Sequence, residues 1–261
     1  MGDVFVLVGD DFQLPPLVKN EEAKQLGMTK TLFQRLKEAH PSSVVSLTYQ
    51  YRMNEEIMSI SNTCVYSNRL MCGTSNDAMK ILSLDLSKIK PGILQKNWLK
   101  DILAPERSVL LLNTEDVPAK EDNDSIQGQP LRSNEVEARL AAIICNGLIK
   151  GGIKAKDIGI ISPYRAQLKL INRFVRKKDL EISTVDQYQG RDKDCIIISL
   201  VRSSPNHNGC LLKDWKRINV AFTRAKRKMI ILCHKKTIES YPGFDLLFNL
   251  AQEKEWIYNL P

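Results

Sequence analysis

Two arginines, Arg52 and Arg224, sit in segments whose residue types suit the handling of phosphate. Arg52 lies in Gln50-Tyr51-Arg52-Met53-Asn54 and Arg224 in Asn219-Val220-Ala221-Phe222-Thr223-Arg224-Ala225-Lys226. A planar guanidinium can hold two phosphate oxygens at once, and charge stabilisation of that kind is a large part of phosphoryl transfer. The usual companions are a glycine-rich loop closing on Gly-Lys-Ser/Thr and an acidic pair that binds a metal ion. The sequence contains no Gly-Lys dipeptide and no Asp-Glu dipeptide. It reads as the sensing and clamping half of a nucleotide-driven device, without the phosphate cradle.

Ligands of open α/β sheets bind beyond the carboxyl ends of the strands, and several polar segments are expected there because each follows an apolar run. In Gly9-Asp10-Asp11-Phe12-Gln13-Leu14-Pro15-Pro16 the glycine allows a sharp turn, and the amide of Gln13 can orient water or sense a phosphate oxygen. Tyr51, beside Arg52, offers a ring for a base. Thr184-Val185-Asp186-Gln187-Tyr188-Gln189-Gly190-Arg191-Asp192 combines a strand-end threonine, a glycine that permits close backbone approach, and Asp192 as an acceptor for a ribose hydroxyl. Each segment taken singly also fits a plain turn or a surface ion pair, and Lys226, Arg227 and Lys228 fit a basic surface helix.

A further basic feature follows Ser162-Pro163-Tyr164. On the next helix Arg165, Lys169, Arg173 and Arg176 share one face, while Leu168, Ile171 and Val175 share the other. A phosphate backbone needs such a positive ridge, although a solvated helix face has the same pattern.

The elements that must carry these groups alternate. Val4–Val8, Val44–Leu47, Ser108–Leu112, Ile158–Ile161, Ile182–Val185, Cys195–Val201 and Met229–Cys233 are short apolar runs expected as buried strands. Helices are expected over Thr29–Ala39, from the cap Asn54 to about Val65, and over Asn134–Lys150, Tyr164–Lys177 and Trp215–Ala225. Residues 74–105 read as a variable insertion and 115–130 as an exposed loop. The alternation implies an α/β fold, a parallel sheet with helices on both faces.

Composition narrows the class. The chain has 261 residues, 43% hydrophobic and 26% charged, with a net charge of +8 that favours a polyanionic partner. Its six cysteines, Cys64, Cys72, Cys145, Cys195, Cys210 and Cys233, form no Cys-x-x-Cys pair, so buried reduced thiols are expected rather than a metal cluster. His40, His207 and His234 are isolated and expected to be structural, and Trp98, Trp215 and Trp256 are expected to pack in the core. No metal site is expected. No apolar run reaches the ~20 residues of a membrane span, and the N-terminal run lacks the basic flank of a signal peptide.

In combination these segments resemble the superfamily-one helicases, in the branch related to the nonsense-mediated-decay RNA helicase. The resemblance rests on Gly-Asp-x-x-Gln-Leu-Pro-Pro at Gly9–Pro16, Gln-Tyr-Arg-Met at Gln50–Met53 and Ser-Pro-Tyr-Arg-x-Gln at Ser162–Gln167, all in the family's order. It continues with Thr-Val-Asp-x-x-Gln-Gly-Arg at Thr184–Arg191 and Asn-Val-Ala-x-Thr-Arg-Ala-Lys at Asn219–Lys226. Leu14–Val18 with Leu26-Gly27-Met28, Tyr188–Asp192 and Leu211–Arg217 look most like the eukaryotic DNA-replication helicase/nucleases.

The resemblance implies two RecA-like domains that close on ATP and Mg²⁺ and move along single-stranded DNA from five-prime to three-prime in the nucleus. Residues 1–42 correspond to the tail of the first domain, and residues 43–261 to the second. Gln13 would couple the γ-phosphate to the strand, Tyr51 would pack by the adenine, and Arg52 and Arg224 would clamp the γ-phosphate. Asp192 replaces a glutamate that meets the ribose, with a shorter reach. Ser162, Tyr164, Arg165 and Thr184 would lie along the strand. The phosphate loop, the Mg²⁺-binding pair and the nuclease part of the family are not in this sequence, so it is expected to hydrolyse no ATP alone. A first-domain strand at Val4–Val8 would stand without neighbours as an apolar edge. Alternatives are an RNA helicase fragment of the same branch, a non-catalytic single-strand-binding module, and an incomplete gene product.

Overall fold

A computed structural model describes residues 4–90, 92, 97–126, 129–204 and 211–260. Cys210 and His207, read above as a thiol and a structural histidine, lie outside the described residues.

Six parallel strands form the main sheet: β3 (Val109–Asn113), β6 (Ile158–Ile161), β7 (Glu181–Ser183), β8 (Lys193–Ser199), β9 (Ala225–Cys233) and β10 (Ile257–Asn259), in the order β10-β3-β9-β8-β6-β7. Their side chains alternate between two cores, as the strand period of two requires. Val109, Leu111, Ile196, Ile198, Met229 and Ile231 face one layer. Leu110, Leu112, Cys195, Ile197, Ile230 and Leu232 face the other. Burial on both sides explains why these strands read as unbroken apolar runs.

The first layer is built on α3 (Glu55–Cys64), α9 (Trp215–Phe222) and α11 (Phe244–Glu253). The second is built on α5 (Asn97–Leu103), α6 (Glu135–Lys150) and α7 (Arg165–Val175). Residues 74–105, set aside as an insertion, supply Leu82, Ile89, Leu99, Ile102 and Leu103 to that second core. Trp256 is buried in the first core, and Trp215 and Trp98 pack against the two cores. Cys145, Cys195 and Cys233 are buried free thiols, while Cys64 and Cys72 are half-buried. Among the described residues no helix is long and apolar enough to cross a membrane.

Three sequence expectations are corrected. Val4–Val8 forms no strand and lies open, with Val4, Val6 and Val8 more than four-fifths exposed. A strand needs a hydrogen-bonded neighbour, and none is supplied there among the described residues. Val44–Leu47 likewise forms no strand, and Val45 and Leu47 are exposed. The chain pairs only afterwards, where β1 (Tyr49–Gln50) meets β2 (Met71–Cys72) in parallel. Within the expected loop 115–130 an antiparallel hairpin begins, β4 (Asp122–Ile126) with β5 (Gln129–Ser133). Its polar composition hid a pairing made by main-chain groups.

The N-terminal residues add two short helices, α1 (Glu21–Gln25) and α2 (Leu32–Ala39), the latter capped by Thr31. No residue of either helix is fully buried.

Candidate functional site

The Gln50–Asn54 turn is folded around the Gln50 side chain. Its Oε1 accepts from the main-chain N–H groups of Arg52 (3.0 Å) and Met53 (2.8 Å), and its Nε2 donates to the Met53 carbonyl (2.9 Å). Asn54 then does two jobs. Its Oδ1 caps α3 by accepting from the Ile57 N–H, and its Nδ2 donates to the carbonyls of Lys80 and Arg227. Its own N–H donates to the Lys226 carbonyl at 3.0 Å. The turn is thereby fastened to the start of β9, beside Arg224.

Arg224 follows the last turn of α9 and is 2% exposed. Its Nε donates to the Val220 carbonyl (2.8 Å), one Nη to the Arg191 carbonyl (3.3 Å) and the other to Thr223 Oγ1 (2.7 Å). Arg52 donates from Nη1 to the Thr223 carbonyl at 3.1 Å, and its Nε lies 3.3 Å from Asp192 Oδ2. The other Asp192 oxygen lies 2.6 Å from Lys226 Nζ. Two cations therefore pair with one carboxylate, whose charge also acts on Arg224. Burial, and then the field of Arg52, bring the Arg224 pKa down to about 10. Burial acts to raise Asp192, but the hydrogen bond and charge of Lys226 and the charge of Arg52 leave it below its ordinary value.

This cluster does not sit beyond the carboxyl ends of the strands. Asp192 and Arg224 precede β8 and β9, whose first pairing joins the Lys193 N–H to the Arg224 carbonyl at 3.0 Å. The expectation that all these segments follow strands is corrected: a helix, not a strand, delivers Arg224. The β8–β9 register slips between Lys193 and Cys195, a local irregularity that re-aims the strand start. Lys226, Arg227 and Lys228 belong to β9 rather than to a surface helix. Lys228 is wholly buried, and its ammonium meets the carbonyls of Ala104 and Arg107.

Gly190 holds φ +81° with open space around it, so it serves the turn before Asp192 rather than a close packing contact. Tyr51 is 63% exposed as a residue, and its ring lies against Gly73, where a Cβ would come within 2.0 Å of it. Gln13 reaches this side through an intermediate layer. Its Nε2 donates to Asp10 Oδ2 (3.1 Å), the Tyr66 hydroxyl donates to the same oxygen, and Asn219 Nδ2 donates to that hydroxyl (2.8 Å) and to the Phe12 carbonyl (3.1 Å). Phe12 and Tyr66 meet edge to face.

The proposed strand residues lie at the other end of the sheet, after β6 and β7. Ser162 is fully buried, Tyr164 and Thr184 nearly so, and only Arg165 is exposed. Lys169, Arg173 and Arg176 continue its exposed face. Gln167 is buried, not strand-facing: it exchanges hydrogen bonds with the main chain of Asn134 and donates to Ser199 Oγ at 2.9 Å. Ser199 Oγ donates in turn to Glu137 (2.6 Å), whose Oε2 also accepts from the Val201 N–H (2.9 Å). Burial pushes the Glu137 carboxyl up to about 7, against those two hydrogen bonds.

A connection joins the two ends. From Thr184 the chain crosses the first core as α8 (Val185–Tyr188) and returns to Asp192. Tyr188 packs over β6 at Gly159, where a Cβ would fall 2.0 Å from its hydroxyl. Asp186 pairs with Arg217 of α9 at 2.9 Å.

Gln50, Tyr66, Asn219 and Glu137 were given no role of their own in the sequence, and Lys226 was read only as part of a basic surface helix. Asn219 and Lys226 lie within a recognised motif, and their spacing from Arg224 was the available signal. Tyr66 lies outside every motif. Among the described residues no three His, Cys, Asp or Glu side chains converge to hold a metal ion. A cluster of cations with one anion suits a polyphosphate, whereas its single carboxylate, already paired with Arg52 and Lys226, is a poor seat for Mg²⁺.

Similarity to known proteins extends over nearly the whole chain. The family described as AAA domain matches residues 28–236. The DNA replication ATP-dependent helicase/nuclease JHS1 of Arabidopsis thaliana is 45% identical over 98% of this chain and 19% of its own length. The DNA replication ATP-dependent helicase/nuclease DNA2 is 41% identical in Saccharomyces cerevisiae (99% of this chain, 17% of that protein) and 43% identical in Homo sapiens (98% and 25%). The chain thus spans a quarter or less of these relatives. Among solved structures, the Arterivirus nonstructural protein 10 helicase overlaps 74% of this chain and 26% of its own at 10% identity with a TM-score of 0.31, too loose a match to bear on the fold. The chain belongs to the AAA-domain family, among the superfamily-one helicases.

Proposed function

We propose that this chain is the clamping and strand-holding part of an ATP-dependent DNA helicase of the helicase/nuclease type, acting in DNA replication and repair in the nucleus. Residues 1–42 belong to one RecA-like domain in this reading and residues 43–261 to a second. The observation that carries it is the convergence of Arg52 and Arg224, far apart in sequence, on one spot with Lys226 and Asp192. Guanidinium groups held in place by main-chain carbonyls are pre-oriented for an anionic transition state and need no rearrangement to meet it. When bound, ATP supplies the phosphoanhydride whose cleavage drives movement.

The chain's own residues have distinct tasks. Arg224 and Arg52 present positive charge to the terminal phosphate. Tyr51 offers an exposed ring to the base, and Gln13 relays the presence of phosphate through Asp10 and Tyr66 to α9. Gly190 sets the turn that presents Asp192. Arg165, with Ser162, Tyr164 and Thr184 shaping the edge behind it, contacts single-stranded DNA. The loop that grips the phosphates and the groups that hold Mg²⁺ come from a part of the motor with which this one works.

The test is an ATPase assay of this chain with single-stranded DNA and magnesium. No turnover is expected. DNA-stimulated turnover that disappears in Arg224→Ala would overturn the division of labour. Competition between DNA and RNA oligomers of equal length checks the nucleic acid, with DNA expected to win.

A further inference from the structure

The cation cluster contains its own anion. Asp192 is about one-third exposed, and so are its partners Arg52 and Lys226. One carboxylate oxygen serves each cation, so Asp192 bridges them. Arg224 behind them is satisfied by carbonyls and a hydroxyl, and carries no carboxylate of its own. The arrangement is that of an anion-binding notch closed by a side chain. The turn before Asp192 is held by Gly190 in the left-handed conformation, with open space where a side chain would stand.

We propose that Asp192 is a built-in counter-anion, displaced when a polyphosphate enters, and that Lys226 then becomes a third phosphate ligand beside Arg52 and Arg224. This rests on the clamp reading above and deepens it. Asp192 changes from an acceptor for the sugar into a competitor for the phosphate's place. The two roles make opposite predictions, because inorganic tripolyphosphate has no sugar.

The experiment measures binding of tripolyphosphate and of ATP to this chain and to Asp192→Asn by calorimetry at low salt. The amide keeps the side chain's size and removes its charge. Exposed ion pairs are weak, so loss of both is expected to tighten tripolyphosphate by about fivefold, with ATP tightened in parallel. Lys226→Gln in the Asp192→Asn background should reverse most of the gain. Weaker ATP with unchanged tripolyphosphate would assign Asp192 to the sugar and overturn the proposal. Unchanged binding of both probes would make the triad a bystander ion pair and overturn it as well. Failure of either chain to bind tripolyphosphate would show that the notch is no anion site. The assays for strand binding and ATP turnover do not depend on that result and judge the clamp reading separately. Circular dichroism of the variants checks that folding is intact.

Discussion

Arg52 and Arg224 are joined through Thr223: the guanidinium of the first donates to the Thr223 carbonyl at 3.1 Å, and that of the second to the Thr223 hydroxyl at 2.7 Å. One residue thus seats two like charges side by side. Their mutual repulsion is part of the reason that Arg224 titrates below an ordinary guanidinium, after burial itself. Crowding of this kind is relieved by an arriving anion.

Joined to a lobe carrying a phosphate loop and an Asp-Glu pair, this chain should support DNA-stimulated ATP turnover that depends on Arg224. Arg224→Ala is expected to lower kcat by about 10³-fold or more, the scale of arginine groups in phosphoryl transfer. Steady-state kinetics read this directly. A loss confined to KM would show that Arg224 contributes only ground-state binding.

Neutralising the ridge on α7 tests the strand edge. Lys169→Gln with Arg173→Gln and Arg176→Gln should reduce the slope of log affinity against log salt by about 2 for single-stranded DNA, at ~0.7 per phosphate contact. The same three changes at exposed Lys100, Lys150 and Lys254, away from that face, should leave the slope unchanged. Equal effects from both sets would reduce the ridge to a solvated surface.

Glu137 gives stability a pH dependence. Its folded pKa is raised to about 7 from 4.5, so the folded chain holds this proton more tightly than the unfolded chain. The resulting stability is complete below about pH 4.5 and is lost as pH rises to about 7. The shift corresponds to on the order of 3 kcal/mol at ~1.4 kcal/mol per pH unit. Urea unfolding of the parent chain and Glu137→Gln across pH 5 to 8 measures it: the difference between them should change over that range and flatten above pH 7. A constant difference would show that Glu137 is already ionised throughout.

Gly190→Ala should destabilise the chain by about 1–2 kcal/mol, the cost of a side chain in the left-handed region, because no steric contact adds to it. The urea midpoint reports the change. A loss of several kcal/mol would mean that the turn packs against something else.

The open apolar residues at the N-terminus should drive self-association. Val4→Ser with Val6→Ser and Val8→Ser is expected to lower light scattering on concentration while leaving Tm unchanged, since these side chains are almost fully exposed. A fall in Tm would place them in a packed interior.

The main sheet was legible because its central strands are buried on both faces. Ile158–Ile161 matches β6 residue for residue, and the caps Asn54 and Asn134 mark helix starts by their residue type. Val4–Val8 and Val44–Leu47 look the same in sequence, yet an apolar run shows only that a strand is possible, not that a neighbour exists. The hairpin β4–β5 was missed for the converse reason: main-chain pairing leaves no trace in polar side chains. At the site, motifs located Arg52 and Arg224, but not the fact that Asp192 and Arg224 stand at strand beginnings. That depends on where α9 ends. Glu137 and Tyr66 were invisible because partners distant in sequence define them.

The crossing from Thr184 through Tyr188 to Asp192 is short, pinned on β6 and tied to α9. Such a strut has little slack. A shove delivered at Asp192 would emerge at Thr184 as a displacement of the opposite rim of the sheet, so the two ends proposed for phosphate and for nucleic acid are mechanically joined without any large hinge between them.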